Sequence, residues 1–168
     1  MKKFAVGILM LFLAGCATGS DSASDYSSND LMFAAMMVPH HEQAIVMSDL
    51  ALKNSSNPEV IALATEIKNA QAPEIEQMKS WGDLDMGSHD GHGMSGMLSE
   101  DELKDLESAA GPEFDQLFLT GMIKHHEGAI DMAQMVTDSR NQEVSTLANQ
   151  IIEAQKAEIE LMKELLKR

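Results

Sequence analysis

The stretch Met37-Val38-Pro39-His40-His41-Glu42-Gln43-Ala44-Ile45-Val46-Met47 decides the fold, because it is written twice. Met122-Ile123-Lys124-His125-His126-Glu127-Gly128-Ala129-Ile130-Asp131-Met132 repeats it 85 residues later. Working outward, residues 32–79 align with 117–163, and Phe33 matches Phe118. After a one-residue deletion the offset becomes 84, and Leu63-Ala64 then matches Leu147-Ala148 and Ile67 matches Ile151. Gln71 matches Gln155, Glu74-Ile75-Glu76 matches Glu158-Ile159-Glu160, and Met78-Lys79 matches Met162-Lys163. So many matches at one shift mark an internal duplication.

Each copy reads as a helical hairpin. Asn29 or Asp30 is suited to cap a first helix that runs to about Lys53. Asn54-Ser55-Ser56-Asn57 forms a turn, and Pro58 suits the first position of a second helix ending near Ser80. In the second copy Pro112 opens a helix ending near Asp138, residues 139–142 turn, and the last helix reaches Arg168. Two hairpins give four helices, so the expected fold is all-α, an antiparallel four-helix bundle. Between the copies lies a Gly-, Asp-, His- and Met-rich linker, residues 83–97. Ser99 with Glu102 forms a capping box for a short extra helix over residues 100–109.

Helical phase singles out the unusual residues. At about 100° per residue, Phe33, Met37, Ala44, Ser48 and Ala51 share one face, and His40 and His41 fall about 60° and 40° to either side of Met37. Met36 and Met47 lie beside His40. The second copy gives the same map with Met122, His125, His126 and Met132. On the partner helix Gln71 and Glu74 fall inside the apolar stripe, as do Gln155 and Glu158 in the other copy. A carboxylate in such a stripe needs a cation, a metal or a strong donor nearby. The hairpin turns set a Met, two His, a Gln and a Glu at one level in each copy. Pro39 and Pro73 each remove a helical hydrogen bond at that level and invite a kink. Their counterparts are Lys124 and Ala157, so the two levels differ in detail. Methionines as core filler and histidines bonded to glutamates form the competing, metal-free reading.

The composition bears on which metal. There are 14 methionines, six histidines and one cysteine. One cysteine excludes an intramolecular disulfide and a Cys-cluster zinc or iron–sulfur site. Thioether sulfur favours Cu(I), and imidazole serves copper among others. The linker adds Met86, His89, Asp90, His92, Met94 and Met97, suited to Cu(I) through sulfur or to Cu(II) through His89, His92 and Asp90. Silver would mimic Cu(I). A di-iron bundle needs Glu-x-x-His motifs, which the bundle helices lack, and Glu42 and Glu127 point to solvent. Neither HH pair continues into H-E-x-x-H, so a zinc hydrolase is not indicated. With 27 acidic against 12 basic residues, the net charge of −15 excludes a nucleic-acid partner. Only 4% of residues are aromatic, which disfavours an aromatic-rich β-sandwich or barrel.

The N-terminus reads as an address. Met1-Lys2-Lys3 is basic, Phe4 to Leu13 is a short apolar run, and Leu13-Ala14-Gly15-Cys16 is similar to a bacterial lipobox. Residues 1–15 are then a lipoprotein signal peptide, Cys16 carries the lipid, and residues 16–29 form a flexible tether. Ala17 after the cysteine is similar to the outer-membrane default of Gram-negative lipoproteins, which places the protein on the periplasmic face of that membrane.

The pattern M-x-x-H-H-x-x-A-I-x-M, followed by Q-x-x-E-I-x-x-M, resembles domain-of-unknown-function family 305, over essentially all of residues 30–168. The resemblance implies a ferritin-like helical fold, a secreted or periplasmic location and Met/His copper sites of the kind associated with copper resistance. By position it carries over Met37, His40, His41 and Met47, then Met122, His125, His126 and Met132, with Met78 and Met162 as the second-helix methionines. The expected function is a lipid-anchored copper-binding protein that sequesters Cu(I) or passes it to another copper-handling protein. It is not expected to be an enzyme. Glu74, Glu158, Gln71 and Gln155 would orient the ligands. A copper or iron oxidase and a metal-free envelope interaction module are the alternatives.

Overall fold

Side-chain caps mark the starts of four of the five described helices. A computed structural model describes residues 26–84 and 94–168, so the lipobox, most of the tether and His89 and His92 lie outside the described residues. The first helix, α1 (Ser28–Asn54), starts at a capping box: the Ser27 hydroxyl accepts from the Asp30 amide, and the Asp30 carboxylate accepts from the Ser27 amide. The cap is therefore Ser27 rather than Asn29 or Asp30, because Asp30 is used as the third residue of the box. In α2 (Pro58–Lys79) Asn57 caps the Glu59 amide and Pro58 takes the first position. Asn141 caps the Glu143 amide in the same way at the start of α5 (Gln142–Leu165). Ser99 and Glu102 form the box that opens α3 (Glu100–Ser108). Between them, α4 (Gly111–Gln134) ends four residues before Asp138, and the chain turns through 135–138. Pro39 and Pro73 sit inside α1 and α2, which run on through them.

The described residues hold these five helices and no strand. The turn at 55–57 folds α2 back along α1, and α5 packs along α4 likewise; α1 lies against α4, and α2 touches α5. The short α3 rests on α1 and α4. This packing is compatible with a four-helix bundle.

The core divides into two apolar clusters. One gathers Ala44, Met47, Leu63, Phe114, Phe118 and Met162, from the turn end of the first hairpin and the open end of the second. The other gathers Phe33, Met37, Met78, Ala133, Leu147 and Ile151, from the opposite ends. Each fully buried Leu, Ile, Phe or Met among them contributes about 1.5–3 kcal/mol. The two HH pairs lie in sequence between the segments that build the two clusters on α1 and α4.

A carboxylate ties three helix ends together. Glu143 accepts from the Tyr26 hydroxyl at 2.7 Å, Gln77 Nε2 at 2.9 Å and Trp81 Nε1 at 3.0 Å. These donors hold its carboxyl below the usual carboxylate range. Burial and the bond to Glu143 push the Tyr26 hydroxyl up to about 12. Trp81 also stacks on Tyr26, with ring centroids 5.3 Å apart.

Candidate metal centre

His40, His41, His125 and His126 are all 0% exposed. Adjacent residues on a helix point about 100° apart, so each pair serves two neighbours. His41 faces its own hairpin, where Nε2 lies 3.0 Å from Glu74 Oε2. His126 does the same with Glu158 Oε2 at 2.7 Å. His40 and His125 turn towards each other, with ring centroids 3.8 Å apart and planes tilted by 39°. These two occupy equivalent positions of the two copies, so the copies meet at the same position of the repeat.

The hydrogen bonds fix the tautomers. His125 Nε2 lies 2.9 Å from the His40 carbonyl oxygen, and His40 Nε2 lies 3.2 Å from the Ser95 carbonyl oxygen. A carbonyl or carboxylate only accepts, so all four rings donate from Nε2. In the neutral imidazole the lone pair is then on Nδ1, and all four Nδ1 atoms are buried without a hydrogen-bond partner. Burial pushes the His40 imidazole down to about 3, with His41 adding to the shift. Burial likewise holds His125 well below its ordinary value, reinforced by His40. Four imidazoles held by acceptors at one nitrogen and bare at the other have the polarity of metal-ligating histidines, which donate their second N–H to a carboxylate or carbonyl.

The glutamates are partly exposed, with side chains at 20% for Glu74 and 19% for Glu158. They join the imidazole to the surface rather than lying deep in the apolar stripe. Gln71 and Gln155 are buried; both amide atoms of Gln71 and the Gln155 Oε1 have no partner. Among the methionines, Met37, Met78 and Met132 belong to one apolar cluster and Met47, Met122 and Met162 to the other, so thioethers lie in both. Met36 is half-buried on the edge of α1. Among the described residues no three His, Cys, Asp or Glu side chains converge as a metal site. A metal with three or more protein ligands at this level would therefore draw on sulfur or amide donors beside imidazole.

The end of the linker departs from the expected flexible loop. Residues 94–97 form a turn closed by the Met97 amide on the Met94 carbonyl at 3.2 Å, with both methionines half-buried. Gly96 takes φ +87°, which such a turn favours in glycine. Gln43 donates to the Leu98 carbonyl at 3.0 Å and accepts from the Leu98 amide at 2.7 Å. Sequence reasoning passed over Gln43 and Gly128. The signal available was that they occupy the same repeat position, where the copies differ.

The chain belongs to the family described as domain of unknown function (DUF305), whose model matches residues 30–166. It is similar to a DUF305 protein of Streptomyces coelicolor considered to be secreted: 33% identity, 83% of this chain and 93% of that one covered, TM-score 0.78. A DUF305 fragment from Deinococcus radiodurans is 32% identical over 84% of this chain and 97% of that one, with TM-score 0.74. CopM in its Cu(II)-bound form is 36% identical over 82% of this chain and 95% of that one, with TM-score 0.72. CopM is also solved in Cu(I)-bound and Ag-bound forms. No curated protein matches the chain.

Proposed function

We propose that this protein binds copper outside the cytoplasm through its duplicated Met/His level, sequestering Cu(I) or delivering it to a partner. The observation that carries this is the set of four buried imidazoles, each donating from Nε2 and bare at Nδ1. Thioethers in both flanking clusters supply the soft ligands that favour the monovalent ion. Copper-bound CopM, similar along most of its length, supports the same reading. In this reading Met37, Met47, Met122 and Met132 join the HH pairs, with Met36, Met78 and Met162 nearby. Glu74 and Glu158 orient His41 and His126. The linker residues His89, His92, Met94 and Met97 recruit ions, and Cys16 carries a lipid that holds an antiparallel, ferritin-like four-helix bundle at the periplasmic face of the outer membrane. No helix among the described residues is long and apolar enough to cross a membrane.

The test is an anaerobic Cu(I) titration of residues 17–168 against a chromophoric competitor, with Zn(II) alongside. Tight Cu(I) uptake, weak zinc binding and loss of most uptake when both HH pairs become Ala are the expected results. Unchanged stoichiometry and affinity in that variant would remove the site assignment. The competing reading, a metal-free polar layer, is favoured by each Nε2 having a protein partner. It predicts no stabilisation by copper.

A further inference from the structure

We propose that residues 94–99 are a strap closed over the paired histidines, and that a metal ion reaches His40 and His125 only after the strap lifts. This rests on the copper reading of the site. Three independent contacts hold the strap down. The Ser95 carbonyl accepts from His40 Nε2 at 3.2 Å. Gln43 holds Leu98 by two hydrogen bonds. The backbone of Ser95 and Gly96 lies directly on Gly128: a Cβ at Gly128 would overlap the Ser95 carbonyl oxygen. A Cβ at Gly96 would in turn stand 2.6 Å from the Lys124 carbonyl oxygen.

The duplication makes these contacts telling. Gln43 and Gly128 are the same position of the repeat, directly after His41-Glu42 and His126-Glu127. The strap meets that position in both copies. One copy supplies a carboxamide that clamps the strap, and the other supplies empty space for its backbone. Two glutamines would collide with the chain, and two glycines would leave Leu98 unclamped. The far end is anchored, because Ser99 caps α3 and Glu102 pairs with Lys124 of α4 at 3.1 Å. Lifting therefore begins at Ser95 and Gly96, above His40, and releases the one Nε2 contact that comes from outside the helices. All four imidazoles are fully buried with the strap down, so the closed state offers solvent no exposed imidazole.

The experiment follows anaerobic Cu(I) transfer from a chromophoric complex to the full-length protein by stopped flow. Wild type is compared with Gln43→Ala and Gly128→Ala. In parallel, carbethoxylation of His40 in the metal-free proteins is followed by mass spectrometry. The expected result is a wild-type uptake rate that levels off as copper rises, a plateau at least tenfold higher in both variants, and His40 modified at least tenfold faster. The two variants act from opposite sides of the strap, so Gln43→Ala alone carries the test if Gly128→Ala does not fold. Uptake linear in copper and equal in wild type and Gln43→Ala, with equal His40 modification, would overturn the strap and leave the copper reading standing. If wild type takes up no copper, the copper reading fails. The strap then stands if His40 is modified faster in Gln43→Ala, and is overturned if the rates are equal.

Discussion

His40 shows how much one residue can carry: one nitrogen donates to a loop carbonyl, the other is bare, and the ring packs at a tilt against its own duplicate. Its pKa near 3 lies below that of an unfolded histidine, so between about 6.5 and 3 the unfolded chain binds the extra proton. Stability of the metal-free protein should therefore fall as pH drops through that window. His40→Gln should flatten the fall, as read by thermal unfolding from pH 7 to pH 4; an unchanged slope would contradict the burial argument. The methionines separate sulfur from shape. Replacing Met37 and Met122 together by Leu conserves volume and should cost under about 1.5 kcal/mol per site. If their sulfur binds copper, Cu(I) affinity should fall at least tenfold in a competitor titration while the helical circular dichroism stays that of the wild type. The identity and helical phase of the histidines were legible in the sequence. Their ring-to-ring contact was not, because phase gives the direction of a side chain from its own axis and says nothing of which helix lies across from it.

Helix by helix, local chemistry was easier to read than tertiary placement. The box of Ser99 and Glu102 and the proline opening α2 follow from short-range hydrogen-bonding rules, and both are present. The start of α1 was displaced because two boxable residues compete there, and Asp30 serves Ser27 instead of capping for itself. Ser27→Ala should cost about 1 kcal/mol of unfolding free energy in urea. The strap was invisible to periodicity, since it is irregular chain held by Gln43, 55 residues away from Leu98. Between elements, Glu143 binds donors from α2 and from the residues flanking α1 and α2. Glu143→Ala leaves the buried Trp81 N–H without its acceptor and should cost about 1–3 kcal/mol. Trp81 is the single tryptophan, so its fluorescence reports that loss directly.

At the scale of the whole molecule, neither hairpin owns a core. Each apolar cluster takes one end from both copies, so residues 111–168 alone would leave half of each cluster open to water. That fragment should show little helical circular dichroism and no cooperative unfolding; a sharp transition would show that a hairpin is a folding unit by itself. The duplication and the hairpins were plain from sequence, and the membership of the family in the repeated motif, but the way the hairpins meet had no sequence signal. The shared position of Gln43 and Gly128 bears on that meeting. Two halves built on one repeat have an ambiguity of partner, since like halves from separate chains present related faces to each other. A pairing of two first halves sets a carboxamide where the crossing backbone needs room, and a pairing of two second halves has no carboxamide to grip it. The divergence at this one position thus lets each half distinguish its sibling from its twin.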